Sequence, residues 1–82
     1  MQRSQAVSFY RAIYRTAGLM PSKDRTRFVR RRLRAEYEKY RHEANPERID
    51  FLLQVADTQL DTLRVQVDHY NQVFSDPSYH QV

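Results

Sequence analysis

The sequence predicts an all-α protein, an antiparallel up-down-up bundle of three helices that forms one domain over residues 1–82. Three observations carry that expectation. Apolar residues recur at three- and four-residue steps in three separate stretches, the spacing that lines one face of a helix. The stretches are punctuated by Gly18 with Pro21 and by Asn45-Pro46, and short connections favour antiparallel neighbours. One glycine and three prolines are too few for a sheet protein with many tight turns.

The first helix is expected over about 4–19. Ser4 suits its N-cap, and Ala6, Tyr10, Ile13 and Ala17 form its apolar row, flanked by Phe9 and Tyr14. Tyr10 and Tyr14 share a face, as do Arg11 and Arg15, so an aromatic row runs beside a cationic one. Gly18 and Pro21 end the helix.

The second helix is expected over 23–43, capped by Ser22 or Asp24. Val29, Leu33, Tyr37 and Tyr40 make its apolar stripe. Arg27, Arg30, Arg31, Arg34 and Arg41 make a basic stripe that only Glu38 interrupts. Phe28 falls between the two and is expected to cover an edge of the core.

Asn45-Pro46-Glu47 is the strongest local signal: an N-cap, a proline at the first helical position, and an acid that complements the helix dipole. The third helix is expected over 46–74. Ile49, Leu53, Ala56, Leu60, Leu63, Val67, Tyr70 and Phe74 follow alternating four- and three-residue steps, and Leu52 widens the stripe. That stripe packs on the other two helices or, less simply, on a second coiled-coil strand. Phe51, Val55 and Val65 fall away from it and form a candidate docking surface. Residues 75–82 read as a loose tail.

A chain of this length buries only about 60% of its unfolded surface, so a bound partner adds usefully to its stability. The absence of cysteine excludes disulfides, thiolate zinc sites and cysteine-held iron–sulfur clusters. No apolar run approaches the length of a membrane span. The net charge of +4 is unevenly placed: residues 1–43 carry +8 and residues 44–82 carry −4. The basic half attracts an acidic partner, whether nucleic acid, anionic lipid or protein. Arginine outnumbers lysine twelve to two, and its forked donors suit a specific acidic surface. Exposed pairs contribute only about 0.2–1 kcal/mol each, so tight binding needs another source.

The first 23 residues hold Arg3, Arg11 and Arg15 and no acid, a composition similar to a mitochondrial presequence. Since the same segment supplies core residues, it is expected to remain in the working protein. No catalytic constellation is present: no cysteine nucleophile, no glycine loop, no serine elbow. His42, His69 and His80 are far apart, and Asp57 and Asp61 share a helix face with no histidine near, so no metal site and no enzyme are expected.

Phe9-Tyr10-Arg11, followed by Arg15, stands where the mitochondrial LYR-motif (complex-one LYR) family has Leu-Tyr-Arg near the start of its first helix. The arginine-rich second helix ending in Tyr37, the Asn45-Pro46-Glu47-Arg48-Ile49 start and the Gln59-Leu60-Asp61-Thr62-Leu63 segment extend the likeness from about Ser4 to Phe74. The chain thus resembles that family, with Phe9 in place of leucine and Tyr37 in place of phenylalanine.

The resemblance implies a non-enzymatic adapter at the mitochondrial matrix or the matrix face of the inner membrane. It implies binding to mitochondrial acyl carrier protein, with the acyl-phosphopantetheine supplied by the carrier and no cofactor held directly. By the same likeness Arg3, Arg11, Arg15, Arg27, Arg30, Arg31, Arg34 and Arg41 meet the carrier. Ala6, Tyr10, Ile13, Val29, Leu33, Leu53, Ala56 and Leu60 line an acyl tunnel, the two alanines leaving room for it. An acyl chain of a dozen buried methylenes offers up to ~10 kcal/mol gross, the tight term that arginines alone lack. The carrier-bound adapter is expected to serve as accessory subunit or assembly factor of a respiratory complex, complex I first. The cysteine desulfurase of iron–sulfur cluster biogenesis is the alternative client. From another class, the arginines of the second helix suit a small RNA- or ribosome-associated module, but no aromatic stacking platform accompanies them.

Overall fold

A computed structural model describes residues 2–77, the side chain of Gln2 excepted. Three helices make up the described chain: α1 (Gln2–Ala17), α2 (Lys23–Lys39) and α3 (Pro46–Ser75). No strand occurs among the described residues. The last five residues of the expected tail, with His80, lie outside them.

Helix α1 begins before Ser4, which sits inside the helix rather than capping it. Gln2 and Arg3 are good helix formers, and no proline or glycine stops the chain there. At the other end α1 stops at Ala17, two residues short of expectation. The amides of Gly18, Leu19 and Met20 bond three residues back, to Arg15, Thr16 and Ala17, a tighter turn than the α-helix. Gly18 has no positive φ. A Cβ there would stand 2.7 Å from Nη2 of Arg30, the movable end of a flexible side chain.

Ser22, not Asp24, caps α2; its Oγ accepts from the amide of Arg25 at 3.2 Å. Asp24 lies in the first turn, where a negative charge complements the helix dipole. The helix ends at Lys39, four residues before the expected limit. Arg41 and Glu43 donate to carbonyls only three residues back, Glu38 and Tyr40. The extended backbone of Asn45, which the following proline favours, keeps α2 from running on into α3. Asn45 caps α3 as expected, its Oδ1 accepting from Glu47 at 3.0 Å and Arg48 at 3.5 Å. Arg48 reaches back to Glu43 at 3.2 Å and braces the turn.

Helix α1 is the middle member. Near the start of α2, Thr26 donates to the carbonyl of Ala17 at the end of α1 (2.8 Å). Near the end of α2, Tyr37 donates to the carbonyl of Ala6 near the start of α1 (2.7 Å). Asn71, late in α3, donates to Leu19 just past α1 at 2.9 Å. These contacts are compatible with the up-down-up order. Helices α2 and α3 both pack on α1, yet among the described residues no Cα of α2 comes within 8 Å of one in α3. The molecule measures 52 × 18 × 15 Å, its long axis set by the 30 residues of α3.

The core lies at one end. Ile13, Ala17, Met20, Leu33, Leu60, Leu63 and Val67 pack together there, with Tyr10, Val29, Tyr37 and Tyr70 at its edge. The first two turns of the α3 stripe, Ile49 and Leu53, are only half-buried. Phe28 does not cover the core; it is 65% exposed, because neither neighbouring helix reaches that side of α2. Phe51 and Val65 stand exposed, as their positions off the stripe predict, and Val55 is half-buried.

Candidate functional site

Because the backbones of α2 and α3 stay more than 8 Å apart, adjoining clefts floored by α1 are left between them. The larger, about 890 Å³, lies at the end away from the core. Ala6 and Tyr10 of α1, Tyr37 and Tyr40 at the end of α2, and Ile49, Leu53 and Ala56 of α3 supply its apolar lining. Arg3, Arg34 and Arg41 stand at its rim, beside Glu36, Glu38 and Glu43. Glu43 is already paired with Arg48, so part of that acidity is neutralised. The second cleft, about 520 Å³, has Ile13, Val29, Leu33, Phe51, Val55 and Leu63 as its apolar part, and Arg32 and Glu36 on its α2 wall. The two share Glu36, Val55 and Gln59.

Three aromatic rings fix the wall that α1 and α2 share. Tyr10 stacks on Tyr14 as the four-residue spacing predicts, with ring centres 6.2 Å apart and planes 18° apart. Tyr37 meets Tyr10 edge to face at 4.9 Å. The Tyr37 hydroxyl donates to the carbonyl of Ala6. Burial, followed by the proximity of Tyr10, raises the Tyr37 phenol above its ordinary value. The hydroxyl therefore stays a donor at neutral pH.

The candidate arginines separate into groups. Arg3, Arg34 and Arg41 come together at the larger cleft. Arg30 is occupied within the fold: its guanidinium lies 3.9 Å over the Tyr14 ring, and its Nε donates to the Tyr14 carbonyl at 3.0 Å. Arg11, Arg15, Arg27 and Arg31 are exposed and line neither cleft. Arg15 donates to the carbonyl of Arg11 at 3.4 Å.

The apolar candidates divide as well. Ala6, Tyr10, Leu53 and Ala56 line the larger cleft; Ile13, Val29 and Leu33 line the second. Leu60 lines neither and is buried in the core. Arg32 is a cleft residue that the sequence reading left out. It stands three residues after Val29 and four before Glu36, so its place on the same wall was legible in the spacing.

Among the described residues no group of three or more His, Cys, Asp or Glu is placed to hold a metal ion. No described helix is long and apolar enough to cross a membrane. What the arrangement offers is an apolar recess with a mostly basic helix along one side.

A search of curated proteins found no match. The model of the family described as Complex 1 protein (LYR family) matches residues 4–62, which takes in α1, α2 and the first half of α3, and with them both walls of the larger cleft. Its members are small adapters rather than enzymes, and generally mitochondrial. With its three helices, its tyrosine–arginine motif in α1 and a match over most of its length, the chain belongs to the LYR family of Complex 1 proteins.

Proposed function

We propose that this chain is a mitochondrial LYR adapter that binds acylated acyl carrier protein through the clefts between α2 and α3. The observation that carries the reading is the larger cleft itself: an apolar recess between helices, with Arg3, Arg34 and Arg41 at its rim. The acyl chain enters past these arginines and lies on Ala6, Tyr10, Leu53 and Ala56. Its far end reaches the floor of the second cleft at Ile13, Val29 and Leu33. The carrier's acidic surface meets Arg3, Arg34 and Arg41, whose guanidinium groups form forked hydrogen bonds to carboxylates.

The division of labour is physical. Charge pairs at an exposed rim steer and orient, contributing under about 1 kcal/mol each. Apolar burial at ~0.8 kcal/mol per methylene supplies the holding energy. A small, elongated fold whose helices α2 and α3 stand apart gains stability from a ligand that bridges them. The adapter then serves a respiratory complex as accessory subunit or assembly factor, with complex I the first client and the cysteine desulfurase the alternative. The work is done on the matrix side of the inner membrane.

Native mass spectrometry of the complex isolated from mitochondria tests this reading. It is expected to show a carrier protein whose phosphopantetheine bears a fatty acyl chain. Carrier with an unacylated arm bound equally well would remove the role of the cleft.

A further inference from the structure

Residues 23–34 of α2 hold Lys23 and six arginines against one acid, Asp24, which sits in the first turn and complements the helix dipole. Two of these cations are occupied within the fold: Arg25 lies 4.0 Å over the Tyr70 ring and Arg30 3.9 Å over that of Tyr14. Arg32 and Arg34 belong to the clefts. Lys23, Arg27 and Arg31 belong to neither. They recur one per turn over about 12 Å of the outer face, and all three are exposed. The ion pairs found among the described residues, Arg48 with Glu43 and Arg64 with Asp61, lie off this helix. Glu36 and Glu38 stand beyond the row, at the larger cleft. Beside the row is Phe28, 65% exposed. Arg31 and Arg32 follow it by three and four residues and flank it on the next turn, while Asp24 lies one turn before. Phe28 thus offers a bare aromatic face in a cationic setting, a stacking platform that burial against the core would have removed.

From this we infer that the outer face of the first half of α2 binds single-stranded RNA, with backbone phosphates on Lys23, Arg27 and Arg31 and one unstacked base on Phe28. Three kinds of anionic surface answer to the charge, and the composition of the face separates them. An acidic protein interface has an apolar core from which charge is depleted, whereas here a single ring stands among guanidinium groups. An anionic membrane is held by charge together with a buried apolar face, but Val29, Leu33 and Tyr37, the apolar face of α2, are turned into the core. A single strand presents what this face takes. It has a row of phosphates for forked arginines, and bases whose flat faces stack on an aromatic ring whatever their sequence. The loops, bulges and ends of folded RNA are where such unstacked bases are displayed. Residues 44–82, most of them in α3, carry −4, so the strand is repelled from α3 and kept on α2. This surface lies outside both clefts and does not depend on what fills them.

Fluorescence anisotropy of the full chain with a labelled single-stranded RNA about ten nucleotides long tests it. The RNA is expected to bind, and its affinity to fall with salt at a log–log slope of about 0.7 per phosphate contacted. Lys23→Gln, Arg27→Gln and Arg31→Gln should each flatten that slope by about one such step. Arg64→Gln, the same change of charge on α3, should leave the slope as it is. Phe28→Leu keeps apolar bulk but loses the flat ring and should weaken binding about tenfold, whereas Phe28→Tyr keeps the ring and should bind like wild type. Phe28 is exposed, so both variants are expected to fold, with unchanged helical circular dichroism as the check. Unlabelled single strand, duplex RNA, and vesicles of phosphatidylcholine and phosphatidylglycerol are added as competitors in separate arms. The single strand should displace the probe at the lowest concentration. Vesicles that compete equally well would assign the face to a membrane and overturn the inference, and an equally effective duplex would overturn the stacked base. Absence of binding, a slope indifferent to Lys23, Arg27 and Arg31, or Phe28→Leu binding like wild type would each overturn it as well.

Discussion

The hydroxyl of Tyr37, near the end of α2, donates to the carbonyl oxygen of Ala6, one turn into α1, at 2.7 Å. The contact joins the two helices where the core has run out and the larger cleft begins. It leaves the Tyr37 ring against Tyr10, so one residue closes the α1–α2 seam and lines the recess.

Tyr37→Phe keeps the ring and deletes the hydrogen bond. It is expected to lower stability by about 1 kcal/mol, the usual net worth of such a bond, measured by urea denaturation. A phenol whose pKa is raised on folding holds its proton more tightly in the folded state. Its contribution is therefore complete below the unfolded value near 10 and is lost as pH rises through the higher folded value. Wild type should thus lose stability above pH 10 more steeply than Tyr37→Phe; parallel curves would show that the hydroxyl is not the group responsible.

Arg30 and Gly18 act as a unit. Arg30→Ala removes the guanidinium from the Tyr14 ring and is expected to cost about 1 kcal/mol. Gly18→Ala places a methyl 2.7 Å from the same guanidinium and displaces it, because the group is the movable end of a flexible side chain. In a double-mutant cycle the second substitution should then cost clearly less once the first is present. Additive effects would mean that the two residues do not communicate.

Leu60 and Phe51 lie on the same helix at opposite extremes of exposure. Leu60→Ala opens a hole among Ile13, Leu33 and Leu63 and is expected to cost about 2–5 kcal/mol. Phe51→Ala, at a residue 63% exposed, should change thermal stability of the isolated chain by no more than about 0.5 kcal/mol. If instead Phe51→Ala proves as damaging as Leu60→Ala, Phe51 is held by contacts within this chain rather than free for a client.

Charge reversal separates the arginines. The double variant Arg34→Glu, Arg41→Glu places two acids at the rim of the larger cleft and is expected to abolish co-purification with acyl carrier protein. Arg11→Glu with Arg15→Glu lies on a surface that lines neither cleft, and is expected to weaken binding less than tenfold. The reverse ranking in a pull-down against purified acylated carrier would move the recognition surface from α2 to α1.

Residues 4–62 were legible as a family member from short-range features, since tyrosine–arginine spacing and the Asn45-Pro46 start are written in consecutive residues. The three helices, the Asn45 cap, the Tyr10–Tyr14 stack and the exposure of Phe51 and Val65 were legible for the same reason: hydrogen bonds four residues apart and caps two or three apart are local. Helix limits were less so, because the ends of α1 and α2 depend on where the chain must turn. The apolar stripes say which face of each helix is buried, but not against which neighbour. Only the tertiary structure put α1 in the middle, held α2 and α3 apart, and made two clefts of the gap. Only it engaged Arg30 on Tyr14, brought Arg32 to a cleft wall and left Phe28 in solvent. Each of those outcomes turns on contacts between residues distant in sequence, and a helical repeat carries no information about distant partners.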